Sequence, residues 1–129
     1  MDVVFFFVTA LIIGGMVAFQ VLFAPLLFIK LEMSIARKFI RIFFPYYYLY
    51  FGVLSLCGFI FSLFVTNLIH TGIMMACTLG FIVSRQLLMP RANVATDAGN
   101  KTLFARYHRA TVLINTIQLL AFGYIIFTL

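Results

Sequence analysis

Charge is what this chain has least of. Charged residues make up 9% of its 129 residues, and only three are acidic. A water-soluble domain carries about 25% charged and about 45–50% apolar residues. Here 65% are hydrophobic and the mean hydropathy is +1.18, more apolar surface than a soluble fold of this size can hide. The class is therefore a polytopic membrane protein. Tryptophan is absent, and the two cysteines, Cys57 and Cys77, lie inside apolar runs. That spacing fits neither a disulfide framework nor a zinc site, so both read as buried structural thiols. There is no repeat, low-complexity tract or linker, so residues 1–129 form one domain. A Ser/His/Asp set, a carboxylate pair and a phosphate loop are all missing, which removes the common hydrolytic and phosphoryl-transfer chemistries.

What is present is four apolar segments, at about 3–24, 46–68, 69–89 and 107–127. The expected fold is an all-α, four-helix antiparallel transmembrane bundle. The opening run carries Asp2 where a cleaved signal carries Lys or Arg, and is too long for one, so it reads as a retained first helix. Pro25 is expected to end or kink that helix. Between the first two spans, Ile35, Phe39 and Ile42 share one face and Arg37, Lys38 and Arg41 another. With Ser34 as N-cap, this predicts a short amphipathic helix lying in the headgroup plane. The alternative is that the stretch is simply the base of helix two. Pro45 suits a first helical turn, and Tyr46, Tyr47, Tyr48 and Tyr50 suit an interfacial belt. Gly52, Ser55, Phe59, Ser62 and Thr66 share a face suited to packing. In helix three, Gly72, Ala76, Gly80 and Ser84 form a small-residue ladder that suits close helix contact and a homo-oligomer. Asn100 or Thr102 is the expected start of helix four.

All nine Lys and Arg residues fall on one side of a four-span topology, in its two connections or, for Arg85 and Arg109, in the helix ends beside them. The net charge of +6 is thus a topological signal, and no nucleic-acid partner is expected. By the positive-inside rule the basic side is cytoplasmic and both termini are outside, in an inner or plasma-type membrane. His70, in the turn between helices two and three, reads as solvated. It lies about 30 Å across the bilayer from His108, so the two cannot share a metal ion within one monomer.

Candidate site residues are the polar groups that can converge at the basic half: Gln20, Arg85, Asn93, Asp97, His108, Arg109, Asn115 and Gln118. On a helix advancing roughly 100° per residue, His108, Thr111, Asn115 and Gln118 share one face. A polar stripe in an apolar helix is costly in lipid, so it is expected to face protein or a cavity. Asp97 is expected to pair with Arg85 or Arg109, with His108 able to join. A purely structural network is the competing reading.

Several stretches carry a resemblance. APLLF at 24–28, IFFPYYY at 42–48, LMPRAN at 88–93 with Asp97 beyond it, and Phe104 with YHRATVLINTIQ at 107–118 resemble the four-helix membrane family related to transmembrane protein 205. That family is a domain of unknown function. The resemblance covers nearly the whole chain and implies Pro25, Pro45, Pro90, Asn93, Asp97, His108 and Asn115 as family positions, a membrane location and no settled activity. One departure is Thr96, where the family pattern implies Arg before the Asp. A more distant likeness is to small four-helix membrane proteins that bind haem or copper, including haem-dependent protoporphyrinogen oxidases. It implies a redox enzyme with His108 as axial ligand, Met89 or an open position opposite it, and Arg85, Arg91, Arg106 and Arg109 steering propionates. The least favoured reading is a lipid-facing enzyme with His108 as general base oriented by Asp97.

Overall fold

The computed structural model describes residues 3–65 and 67–129. The readings placed on Asp2 and Thr66 lie outside them. The chain forms four long helices: α1, Val3–Lys30; α2, Met33–Val65; α3, Leu68–Asp97; and α4, Lys101–Thr128. Each is long and apolar enough to cross a membrane. They run alternately up and down. α1 and α3 each pack against both α2 and α4, so like-numbered pairs sit on diagonal corners.

Local chemistry explains the turns. Asn67 caps α3, its side chain accepting from the His70 backbone N–H at 2.9 Å, which satisfies one of the orphan donors of a helix start. Between α3 and α4, Gly99 adopts φ +72°, the left-handed conformation a helix stop requires and glycine tolerates. The amides of Gly99 and Asn100 turn back to the carbonyls of Thr96 and Ala95. Asn100 then caps α4, its side chain accepting from Leu103 N–H. Asn100, not Thr102, is the start.

The helices hold 28, 33, 30 and 28 residues, about 42–50 Å at ~1.5 Å per residue. The apolar part of a bilayer is about 30 Å thick. All four are therefore longer than that apolar layer is thick, and longer than the 20-odd-residue spans expected from the sequence. The segment at 33–44 is the base of α2, not a separate interfacial helix. Aromatic packing holds it in line: Phe39 and Phe43 meet Phe23 of α1 at centroid distances of 5.9 and 5.1 Å, and Phe43 stacks on Phe19 at 5.3 Å. Pro45 is accordingly inside a continuous helix rather than at its first turn. Ser34 lies within the first turn, and the Ala36 amide bonds the Glu32 carbonyl.

Pro25 and Pro90 do not end their helices either. Each is preceded by a π-helical turn, Phe19–Phe23 in α1 and Ser84–Leu88 in α3. A proline ring collides with the carbonyl four residues back and brings no N–H. The wider turn, closed by bonds from Ala24 to Phe19 and from Met89 to Ser84, takes up that collision without breaking the rod.

The core runs along the bundle axis. Phe5, Ile12 and Met16 of α1 meet Phe51 of α2, Met74, Cys77 and Phe81 of α3, and Phe122 and Ile125 of α4. Phe81 stacks on Phe51 and Phe122 at once, at 6.0 and 6.3 Å. Cys77 is buried and Cys57 half-buried, both free thiols. The tyrosine run is split: Tyr46 and Tyr50 are exposed, Tyr47 and Tyr48 buried. The small-residue ladder of α3 is also split. Gly72 and Ala76 face outward, whereas Gly80 lies against Gln118 of α4 and Ser84 is buried.

Candidate functional site

The polar groups inside the bundle form a seam in its basic half. On α4, Thr111, Asn115 and Gln118 turn inward, as the stripe requires. The Tyr47 hydroxyl donates to Asn115 Oδ1 at 3.2 Å, bridging the diagonal between α2 and α4. Tyr48, one residue on, is buried as well. Deeper in, Gln118 Nε2 donates to the Cys77 carbonyl at 2.8 Å. That close approach requires Gly80: a Cβ there would stand 2.6 Å from Gln118 Nε2. A second polar contact, Ser55 to Thr78 at 2.7 Å, ties α2 to α3 nearer the neutral side.

Two atoms of the seam lack a partner. Ser84 is 1% and Gln118 4% exposed, yet among the described residues neither Ser84 Oγ nor Gln118 Oε1 finds a hydrogen-bond partner. Ser84 lies one turn from Gly80 on α3, and Gln118 of α4 packs against Gly80. Buried polar atoms are nearly always paired, and an unpaired one costs about 1–3 kcal/mol.

The remaining candidates are not drawn into this seam. His108 is exposed, its ring lying over Phe104 at 5.7 Å. Arg109 is exposed as well, and Asn93 is half-buried on the α3 extension. Gln20 faces outward from the π-helical turn of α1. Arg85 is half-buried and braces α3 against α2, Nε donating to the Pro45 carbonyl at 3.0 Å and Nη1 to Gln86 Oε1 at 2.8 Å. Asp97 pairs with neither Arg85 nor Arg109. Arg41 holds both its oxygens in a bidentate contact at 2.7 Å. The long α2 base brings Arg41 alongside the end of α3. There, beyond the apolar spans, this hydrogen bond holds the Asp97 carboxyl below its ordinary range. The contribution is therefore present at neutral pH and fades as the carboxyl protonates at low pH. Asp97 is thus engaged by Arg41, and among the described residues no contact joins it to His108.

His70 is not a solvated turn residue. It is 2% exposed, and its Nε2 meets Thr128 Oγ1 at 2.8 Å. The Thr128 hydroxyl also lies 2.8 Å from the Tyr124 carbonyl; when its proton goes there, Nε2 is the donor to Thr128.

The structure does not bring together the two axial residues named for a haem. His108 faces out over Phe104, while Met89 is buried within the bundle on α3. The two cannot flank one iron inside a monomer. Among the described residues, no three His, Cys, Asp or Glu side chains cluster to hold a metal ion.

Sequence reasoning missed Tyr47, Tyr48 and Arg41. The tyrosines had a signal: Tyr47 and Tyr48 lead into Phe51, Ser55, Gly58 and Ser62 at helical spacing, the face of α2 that is buried. Arg41 had none, because its partner is 56 residues away. Set against family models, curated proteins and solved structures, the chain matches none of them.

Proposed function

We propose that this is a non-enzymatic integral membrane protein of the transmembrane protein 205-like type, whose interior seam takes a small, uncharged, hydrogen-bonding molecule from the basic side. The observation that carries this reading is the pair of unpartnered interior atoms, Ser84 Oγ and Gln118 Oε1. A carboxamide oxygen needs a donor, and a hydroxyl offers both donor and acceptor. A molecule bearing an N–H or O–H satisfies both. Amide and hydroxyl oxygens without a carboxylate or imidazole beside them are poor transition-metal ligands, so handling of a small molecule fits this donor set better than handling of a metal.

In this reading the basic end is cytoplasmic and both termini lie outside. The test is thiol labelling in membrane vesicles of known sidedness, with Cys57 and Cys77 replaced by alanine. Ser84→Cys is expected to react with a small, cationic, membrane-impermeant methanethiosulfonate added on the basic side and not from the other. Ser34→Cys, exposed at the base of α2, is the positive control and reports sidedness. A Cys at position 84 that stays unreactive while position 34 is modified leaves the seam a structural network. Self-association, in the same reading, uses the outward Gly72 and Ala76. Crosslinking in lipid that yields monomer alone removes that part.

A further inference from the structure

We infer that the groove between α1 and α2 at the basic end is a site for one anionic phospholipid of that leaflet, its acyl chain along the groove and its phosphate on Lys30. The groove holds about 490 Å³, is shallow and open on its outer side, and is walled by Phe19, Leu22, Phe23, Leu26, Leu27 and Phe43, with no polar surface. The π-helical turn shapes it. The extra residue in that turn widens α1 where Phe19 and Phe23 stack on Phe43, at 5.3 and 5.1 Å. The stacked rings form a rigid wall parallel to the helices, the direction in which a lipid chain runs.

Charge selects the occupant. Lys30 follows Leu27 by three residues and Leu26 by four, which puts it on the same face of α1, at the groove's basic end. It is exposed and makes no ion pair among the described residues, and the same is true of Arg37 and Lys38 on the neighbouring base of α2. The acids at this end are Glu32, in the turn after α1, and Asp97, already held by Arg41. The rim therefore keeps an excess of positive charge. A lysine stem lies along apolar surface while its ammonium reaches the headgroup level. A zwitterionic lipid fills the groove but leaves the rim charge uncompensated; an anionic one answers both.

The absence of tryptophan from the chain supplies the test. Leu22→Trp, at a lipid-exposed position on the groove wall, becomes the sole indole. Val112→Trp, on the exposed face of α4, is the reference. Three residues towards the basic end separate Leu22 from Phe19 and Val112 from Asn115, and Phe19 and Asn115 both contact Tyr47, so the two reporters lie at similar depth. Quenching is compared in vesicles containing brominated phosphatidylglycerol or brominated phosphatidylcholine at equal mole fraction. The expected result is a preference of roughly fivefold for phosphatidylglycerol at Leu22→Trp, equivalent to ~1 kcal/mol for one lysine at an anionic surface. That preference disappears with Lys30→Gln and is absent at Val112→Trp. Equal quenching by the two lipids at position 22 overturns the inference. So does a preference that survives Lys30→Gln, or one equally strong at position 112, which is general attraction to the basic end.

Discussion

Phe81→Ala is expected to be among the most damaging single substitutions in this chain, lowering stability by about 3–5 kcal/mol, the range for emptying a fully buried phenylalanine site. Phe81 has no exposed surface, and its ring stacks on Phe51 of α2 and Phe122 of α4. In lipid, helices gain little by hiding apolar surface from one another, because the alternative environment is itself apolar. What holds them is contact. Removing a ring that touches both neighbouring helices leaves each facing a void, and rigid helices joined by short turns cannot close it. The check is unfolding of the purified protein in mixed micelles. Phe127→Ala, at a position 91% exposed on the same helix as Phe122, is expected to leave the transition where it was. A Phe81→Ala protein as stable as the parent would mean that this stack does not bind the three helices together.

Gly80→Val is expected to cost a comparable amount for the opposite reason. A Cβ at position 80 stands 2.6 Å from Gln118 Nε2 and 3.3 Å from Ile114 Cγ2, so the branched side chain overpacks the α3–α4 contact. Overpacking costs about 1–3 kcal/mol. Driving the Gln118 amide off the Cys77 carbonyl strands a further buried donor, at about 1–3 kcal/mol. The two terms separate in a double-mutant cycle. In a Gln118→Ala background the amide is gone, and Gly80→Ala is expected to be much milder there than in the parent, with a coupling of about 0.5–3 kcal/mol. Additive losses would show that the amide is not what Gly80 makes room for.

The legible parts of the fold are those set by chemistry within a few residues. Hydropathy locates the four crossings, Asn100 announces the start of α4, and the stripe through Thr111, Asn115 and Gln118 follows from helical spacing alone. His108 belongs to that stripe by phase but not by depth. It sits one turn nearer the basic end, on the overrun of α4 where the bundle no longer encloses it. The prolines misled for a related reason. Pro25 read as an end or kink and Pro45 as a first helical turn, because a proline removes a ladder bond. Whether a helix ends there depends on what its neighbours supply, and the ring packing of Phe19, Phe23 and Phe43 is not local. The Arg41–Asp97 contact was illegible for the same cause. With nine cations at one end, only the relative lengths of α2 and α3 decide which of them meets the acid.

The widened turn in α3 also acts as a phase shifter. Up to that point the inward residues fall at the ordinary helical steps, Met74, Cys77, Phe81 and Ser84. The next is Met89, five places on, followed by Ala92 and Ala95. One added residue turns everything beyond it by about 100°. Had the α-helical count simply continued from Ser84, Leu88 and Arg91 would have come round to the axis, and a guanidinium would have been driven among the core side chains. With the extra residue, Arg91 is exposed and alanines take the inner positions. The irregular turn is thus the device by which one rod keeps two sets of faces, an apolar address for lipid and a charged one for water, each correctly aimed.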